Sequence, residues 1–123
     1  MHEWILAEGV LRAVRVISKP PHKFRVRIGE LRQVNLEIFR HALRELSKGT
    51  ELEGMEVEIE VERASIKCED CGYEFGLDQM PLSEGEKECI HFFPSTLRSF
   101  GCPRCRSVRL RISGGREFEV EPA

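Results

Sequence analysis

Two Cys-x-x-Cys pairs, Cys68-Glu69-Asp70-Cys71 and Cys102-Pro103-Arg104-Cys105, constrain this chain more than any other feature, because their turns have to meet in space. Each such turn aims two thiolates at one point. Two of them supply a closed tetrahedral shell of soft sulfur that suits Zn²⁺. Four ligands fill the shell and leave no position for an activated water, so the role implied is structural. Binding of this kind stabilises a folded module by about 10–16 kcal/mol in apparent terms, more than a small core supplies. A redox dithiol or four unrelated buried cysteines are the competing readings, and the paired spacing favours the metal. Gly72 helps the first turn and Pro103 stiffens the second, while Arg106 stands where many such knuckles carry glycine. The fifth cysteine, Cys89, belongs to neither pair.

A disulfide framework is not expected. The opening Met1-His2-Glu3-Trp4 lacks the basic-then-apolar layout of a secretory signal. The chain has 123 residues, of which 41% are hydrophobic and 33% charged, enough to bury a core and to exclude wholesale disorder. No apolar run is long enough to span a bilayer. With 19 basic residues against 21 acidic, the net charge is −2, and loading four thiolates with one divalent ion makes it more negative. That balance speaks against a surface built for nucleic acid. The expectation is a soluble, cytoplasmic protein without a membrane or nucleic-acid partner, a monomer or weak dimer.

Around the cysteine pairs the pattern is regular. Residues 3–18 repeat Leu6, Val10, Val14 and Ile17 at helical spacing, with Ala13 in the same stripe, and Pro20-Pro21 ends the helix. Phe24, Val26 and Ile28 alternate with Arg25 and Arg27, as in a half-buried strand closed by Gly29. Asn35 is placed to cap a second helix with a stripe of Leu36, Phe39, Leu43 and Leu46, and Gly49 stands where a left-handed residue would follow it. Residues 55–62 alternate Met55, Val57, Ile59 and Val61 with four glutamates, and the tail 116–121 alternates likewise. Three one-faced strands and two one-striped helices make an α+β fold: a small mixed three-stranded sheet with both helices on its apolar face. Arg25 and Arg27 are expected to meet glutamates of a neighbouring strand on the open face. Residues 65–112 show no convincing periodicity and read as an inserted zinc-ribbon-like module, leaving 1–64 and 113–123 as the α+β domain.

The first two residues have their own chemistry. If the α-amine is free, the Met1 amine and His2 backbone nitrogen close a five-membered chelate ring, and the His2 amide and imidazole Nδ1 close a six-membered one. Three coplanar nitrogens favour square-planar Ni²⁺ or Cu²⁺, and another histidine would complete the plane. Such a site is open and pH-dependent, since amine and imidazole must lose protons. On spacing alone a histidine at position 2 is more often incidental.

The Met1-His2-Glu3-Trp4 start of an amphipathic helix, Ile28-Gly29-Glu30-Leu31 after the first strand and the two late Cys-x-x-Cys pairs together resemble HypA, the nickel metallochaperone family of [NiFe]-hydrogenase maturation. The resemblance covers essentially the whole chain. It implies a non-enzymatic protein that binds Ni²⁺ at Met1, His2 and Glu3, with a structural Zn²⁺ on Cys68, Cys71, Cys102 and Cys105. It also implies delivery to the hydrogenase large-subunit precursor alongside a HypB-type GTPase. Members with a long loop between the knuckles carry an Ile-His-Phe segment near nickel, which Ile90-His91-Phe92 matches, making His91 a candidate ligand. The stretch 17–23 is shorter than in the family.

Other readings of these residues stay open. His91 lies in an apolar run, where a packing histidine is the simpler reading from composition. Cys89 is an auxiliary ligand or an ordinary buried cysteine. Glu3 offers its backbone nitrogen, or a carboxylate that orients His2. Glu30 is a partner contact or a solvated strand end, and His22 and His41 have no assigned role. The rival function is a zinc-ribbon module that binds nucleic acid or a transcription complex, with affinity falling steeply in salt. A hydrolase or redox protein built on Cys89 and His91 lacks an oxyanion hole and a third member.

Overall fold

The computed structural model describes residues 2–80, 82–92 and 94–123, and for 91, 94 and 95 the backbone alone. Its contacts divide the chain into two compact units.

The first unit comprises Met1–Arg27, Val34–Glu60 and Phe118–Ala123. Helix α1 (His2–Ile17) buries Glu3, Ala7, Val10, Leu11 and Val14 at helical spacing. The expected stripe is therefore rotated: Leu6 is only half-buried and Ile17, in the last turn, is exposed. Small Ala7 and long Leu11 take the inward positions instead. Strand β1 (Lys23–Gly29) buries Phe24, Val26 and Ile28 and turns its arginines outward. The Asn35 side chain caps α2 (Leu36–Ser47) by accepting the Ile38 N–H at 3.1 Å. The inward face of α2 is Phe39, Ala42, Leu43 and Ser47, so Leu46 is exposed where a buried position was expected. Ser47 is tolerated inside because its hydroxyl donates to the Arg44 carbonyl at 3.0 Å. Gly49, at φ +74°, follows the helix in the left-handed conformation.

Strands β2 (Glu56–Glu62) and β6 (Phe118–Pro122) flank β1 in the order β2-β1-β6. Ion pairs give the directions. Lys23 meets Glu56 and Arg25 meets Glu58, so β2 advances with β1 and is parallel to it. Arg25 meets Glu121 and Arg27 meets Glu119, so β6 runs antiparallel. The sheet is mixed, and the two arginines do meet glutamates on the open face, on both sides of β1. On the apolar face, the Phe39 ring stands edge-on to Phe118 at 6.1 Å between centroids. Helix α1 packs on α2 and β6.

The second unit comprises Ile28–Gln33 and Val61–Glu117. The stretch without visible periodicity contains a second sheet: β3 (Ser65–Cys68), β4 (Glu74–Phe75) and β5 (Leu110–Gly114), ordered β4-β3-β5 and antiparallel throughout. Helix α3 (Glu84–Phe92) and short 3₁₀ segments complete it. Ile66, Phe75, Leu77, Ile90, Leu97 and Leu110 form its core.

Residues 28–33, 61–64 and 113–117 thus pack with the cysteine module rather than with the flanking α+β ranges expected for them. The main chain is the reason. The Glu30 carboxylate accepts the Ala64 N–H at 2.8 Å, and the Leu31 N–H donates to the Gly115 carbonyl at 2.9 Å. Gly29 and Gly115 approach so closely that a Cβ on Gly29 would lie 2.2 Å from the Gly115 oxygen. A Cβ on Gly115, itself at φ +89°, would lie 2.5 Å from Ala64 Cα. Glu30 is thereby a hydrogen-bonded anchor.

Candidate metal centres

Each cysteine pair sits on the same backbone device. The Cys68 N–H donates to the Tyr73 carbonyl and the Gly72 N–H to the Cys68 carbonyl, both at 2.9 Å. The second knuckle repeats this with Cys102 to Ser107 at 2.9 Å and Arg106 to Cys102 at 2.8 Å. The repeat requires a left-handed residue at the equivalent positions, and they are Gly72 at φ +76° and Arg106 at φ +64°. Holding a side-chain residue there costs roughly 1–2 kcal/mol.

The four sulfurs converge as the spacing requires. Cys68 Sγ lies 3.5 Å from Cys105 Sγ, Cys71 Sγ lies 3.7 Å from Cys102 Sγ, and all four fall within 4.8 Å of one another. A tetrahedron with metal–sulfur bonds of about 2.3 Å has edges of about 3.8 Å, so the donor set fits a zinc-sized ion. Among the described residues it is the one cluster of this kind. Cys68 and Cys102 are buried, Cys71 and Cys105 exposed.

The thiols are electrostatically unequal. The Cys71 and Asp70 amides hold the Cys68 thiol down at about 7 against the opposing pull of burial. At Cys105 the Ser107 amide pulls downward, but burial and the three neighbouring sulfurs push it up to about 12. Four negative sulfurs this close repel one another, and a divalent cation is what allows all four to be thiolates together.

A polar brace that the sequence pattern did not single out joins the knuckles. Asp70, between the first two cysteines, accepts a hydrogen bond from Ser107 Oγ and another from Arg109 Nη1 at 2.8 Å. Glu69 N–H donates to the Arg109 carbonyl at 2.8 Å. Outside the sulfurs, Tyr73 stacks on Phe75 at 5.6 Å, and the Arg104 guanidinium lies 5.6 Å from the Tyr73 ring centroid.

At the chain start, Glu3 is 6% exposed although it is a glutamate. Its Oε2 accepts the N–H of Asn35, the α2 cap, at 3.1 Å and lies 3.4 Å from His2 Nε2. Burial works to raise the Glu3 carboxyl, but the Asn35 amide, its own amide and the nearby His2 outweigh this and hold it below the ordinary carboxylate range. Trp4, the next residue, stands edge-on to His41 at 5.8 Å. Met1 and the side chain of His91 lie outside the described residues. Cys89 is exposed, contrary to the buried alternative. His22 is buried, its Nδ1 2.8 Å from Ser18 Oγ. No helix among the described residues is long and apolar enough to cross a membrane.

The whole chain, residues 1–123, matches the family model described as hydrogenase/urease nickel incorporation, metallochaperone, HypA. A match over the whole chain defines the class, a metallochaperone, which handles a metal ion for another protein and is not an enzyme. Among curated proteins, the hydrogenase maturation factor HypA of Thermococcus onnurineus is 43% identical over 128 residues, covering 98% of this chain and 86% of that protein. Its counterpart in Methanocaldococcus jannaschii is 32% identical, covering all of this chain and 95% of that protein. The solution structure of the Ni metallochaperone HypA from Helicobacter pylori shares the fold, with a TM-score of 0.53 at 18% identity, covering 98% of this chain and 96% of that one. The chain belongs to the HypA family, whose members serve nickel incorporation in hydrogenase maturation. The rival nucleic-acid reading is not favoured by these matches.

Proposed function

We propose that this protein binds Ni²⁺ at its N-terminus and passes it to the [NiFe]-hydrogenase large-subunit precursor, with a HypB-type GTPase as partner, while a Zn²⁺ ion on Cys68, Cys71, Cys102 and Cys105 holds the second unit in shape. The observation that carries the nickel reading is the link from His2 through Glu3 to Asn35. A histidine that binds metal through one ring nitrogen is commonly oriented by a carboxylate at the other. Here the carboxylate lies on the Nε2 side, which leaves Nδ1 for the chelate with the Met1 amine and the His2 amide nitrogen. The Asn35 N–H fixes that carboxylate, so the first turn of α1 is tied to the start of α2. His91 is proposed as a further donor and Cys89 as an auxiliary one.

The two metals divide the work. Zinc is a cross-link in a full shell of four thiolates, without a coordination site to offer. Nickel, the cargo, is held by nitrogen donors at an open chain end, where a partner can replace donors one by one. The role of Glu3 is to hold the imidazole in one orientation so that the ring nitrogen, once deprotonated, faces the cargo.

Metal analysis of protein with its native N-terminus tests this. Wild type and His2→Ala are both expected to retain about one zinc per chain, while only wild type takes up nickel. Residues added before Met1 should act like the substitution, because they abolish the free amine. Nickel uptake undiminished in both would overturn the proposal.

A further inference from the structure

In the first unit, α2 and the edge strand β2 enclose a groove of about 280 Å³ that the nickel reading does not use. Leu43, Met55 and Val57 supply apolar lining, and Arg40 and Arg44 stand one helical turn apart on its helix side. Among the described residues neither arginine forms a close ion pair, although the charge of Arg44 acts on the neighbouring Glu45, whose own close partner is Lys48. Glu37, one turn before Arg40, is exposed and does not pair with it, although acid-before-base at this spacing is a favoured helical pair. The groove is firmly built. Thr50 N–H donates to the Ser47 carbonyl and Met55 N–H to the Leu52 carbonyl, each at 3.1 Å, which fixes the turn from α2 to β2. It is also open: a side chain on Gly54 would meet nothing within 4 Å.

Beside the groove runs an unpaired sheet edge. In the order β2-β1-β6, β2 is terminal, and among the described residues no strand pairs with its outer side. Val57 and Ile59, facing the helices, are only half-buried. Charge separates the two faces. Glu56, Glu58 and Glu60 occupy the open face and are taken up by Lys23, Arg25 and Arg27, whereas the groove side carries Arg40 and Arg44.

We infer that this groove is a docking site for an extended acidic segment of a partner protein, added as a strand on the outer edge of β2. Main-chain bonds to an exposed edge give affinity without regard to sequence, and alternate side chains give specificity. The geometry sets the pattern. Side chains on the groove side combine carboxylates for Arg40 and Arg44 with an apolar residue over Leu43 and Val57. Those on the other side are neutral or basic, because an acid there would face the glutamate row. A second copy of this chain offering its own β2 is disfavoured, since glutamates would oppose glutamates across the new pair.

The test uses the full-length zinc-loaded protein and a blocked peptide, Glu-Thr-Leu-Thr-Glu-Thr-Leu-Thr, which puts acids and leucines on one face. The peptide is negative, like the protein, so net charge alone does not draw them together. Fluorescence anisotropy should show binding that weakens about tenfold for Arg40→Glu or Arg44→Glu and is lost in the double variant, with amide shifts at Val57 and Ile59. Lys19→Glu, the same charge change away from the groove, should leave it within about twofold, and thermal melts confirm that the variants fold. Shuffling the peptide so that acids and leucines fall on opposite faces should weaken it about tenfold. Absence of binding to wild type overturns the inference, as does equal binding by the double variant. A single-stranded oligonucleotide that binds in an Arg40- and Arg44-dependent way while the peptide does not would also overturn it, reassigning the groove to nucleic acid.

Discussion

The two units reach order by different routes. The first has long one-faced elements, fully buried rings such as Phe24 and Phe39, and an arginine row gripped by glutamates from both neighbouring strands. The second has strands of two to five residues, a core around Ile66, Phe75 and Leu110, and a four-sulfur cluster with two of its cysteines exposed. A core of side chains is a distributed asset, in which each residue carries a few kilocalories. A metal centre concentrates comparable stabilisation in one point, and its loss is all-or-none. That suits a carrier. The part proposed to keep its metal is closed by chelation, and the part proposed to exchange it rests on packing that nickel does not need.

The sharpest way to break this contrast is to remove the metal proposed for the four cysteines. Chelation, or Cys102→Ser, should abolish dispersed amide signals throughout the second unit, a loss on the scale of about 10–16 kcal/mol of binding energy. The amides of Val10, Val26 and Phe39 should keep their dispersion, and collapse of both units together would erase the distinction. The complementary change, Phe39→Ala, opens a cavity in the first unit and should cost about 3–5 kcal/mol. Its metal-to-protein ratio should stay at the wild-type value. Gly29→Ala probes a close backbone approach within the second unit: a methyl group 2.2 Å from the Gly115 oxygen forces backbone apart. We expect about 1–3 kcal/mol of destabilisation in denaturant titrations, with metal content unchanged.

Two smaller effects sharpen the picture. Arg106→Gly should stabilise the zinc-loaded second unit by about 1 kcal/mol, because the left-handed position no longer strains a side-chain residue. Gly72 shows what the equivalent site prefers. The last concerns acid. The Arg15 side chain, hydrogen-bonded to Glu51, holds that carboxyl below its ordinary value. A carboxyl lowered in the folded state stabilises it above the unfolded pKa, and the contribution fades as pH falls through the folded one. The pH–stability curve of Glu51→Gln should therefore differ from wild type near neutrality and converge with it in acid. Both partners are exposed, so the difference should be small.

How much of this the residues disclose depends on the kind of force involved. β1, β2 and β6 are readable because one face of each is wet and the other is not, which writes period two into the chain. The cysteine site is readable because coordination chemistry fixes its spacing. Helix α3 escapes notice since Gly85 stands in its first turn and Ile90 is its one buried apolar residue among those described. β4, at two residues, is too short to alternate. Glu30 reads in the sequence as a partner contact or a solvated strand end because its partner, the Ala64 amide, is 34 residues away. Asp70 is hidden for the same reason: inside Cys-x-x-Cys it is a spacer, and only the fold brings Ser107 and Arg109 to it.

The pairing of Ser65 with Gly114 across β3 and β5 has a further consequence. Everything between them departs from and returns to one place, so this stretch behaves as a cassette whose two ends lie side by side. A foreign metal ribbon with ends one strand spacing apart could be grafted there, provided Gly115 and Ala64 are left untouched. Lengthening or trimming the stretch between the knuckles would leave the seating of the graft undisturbed.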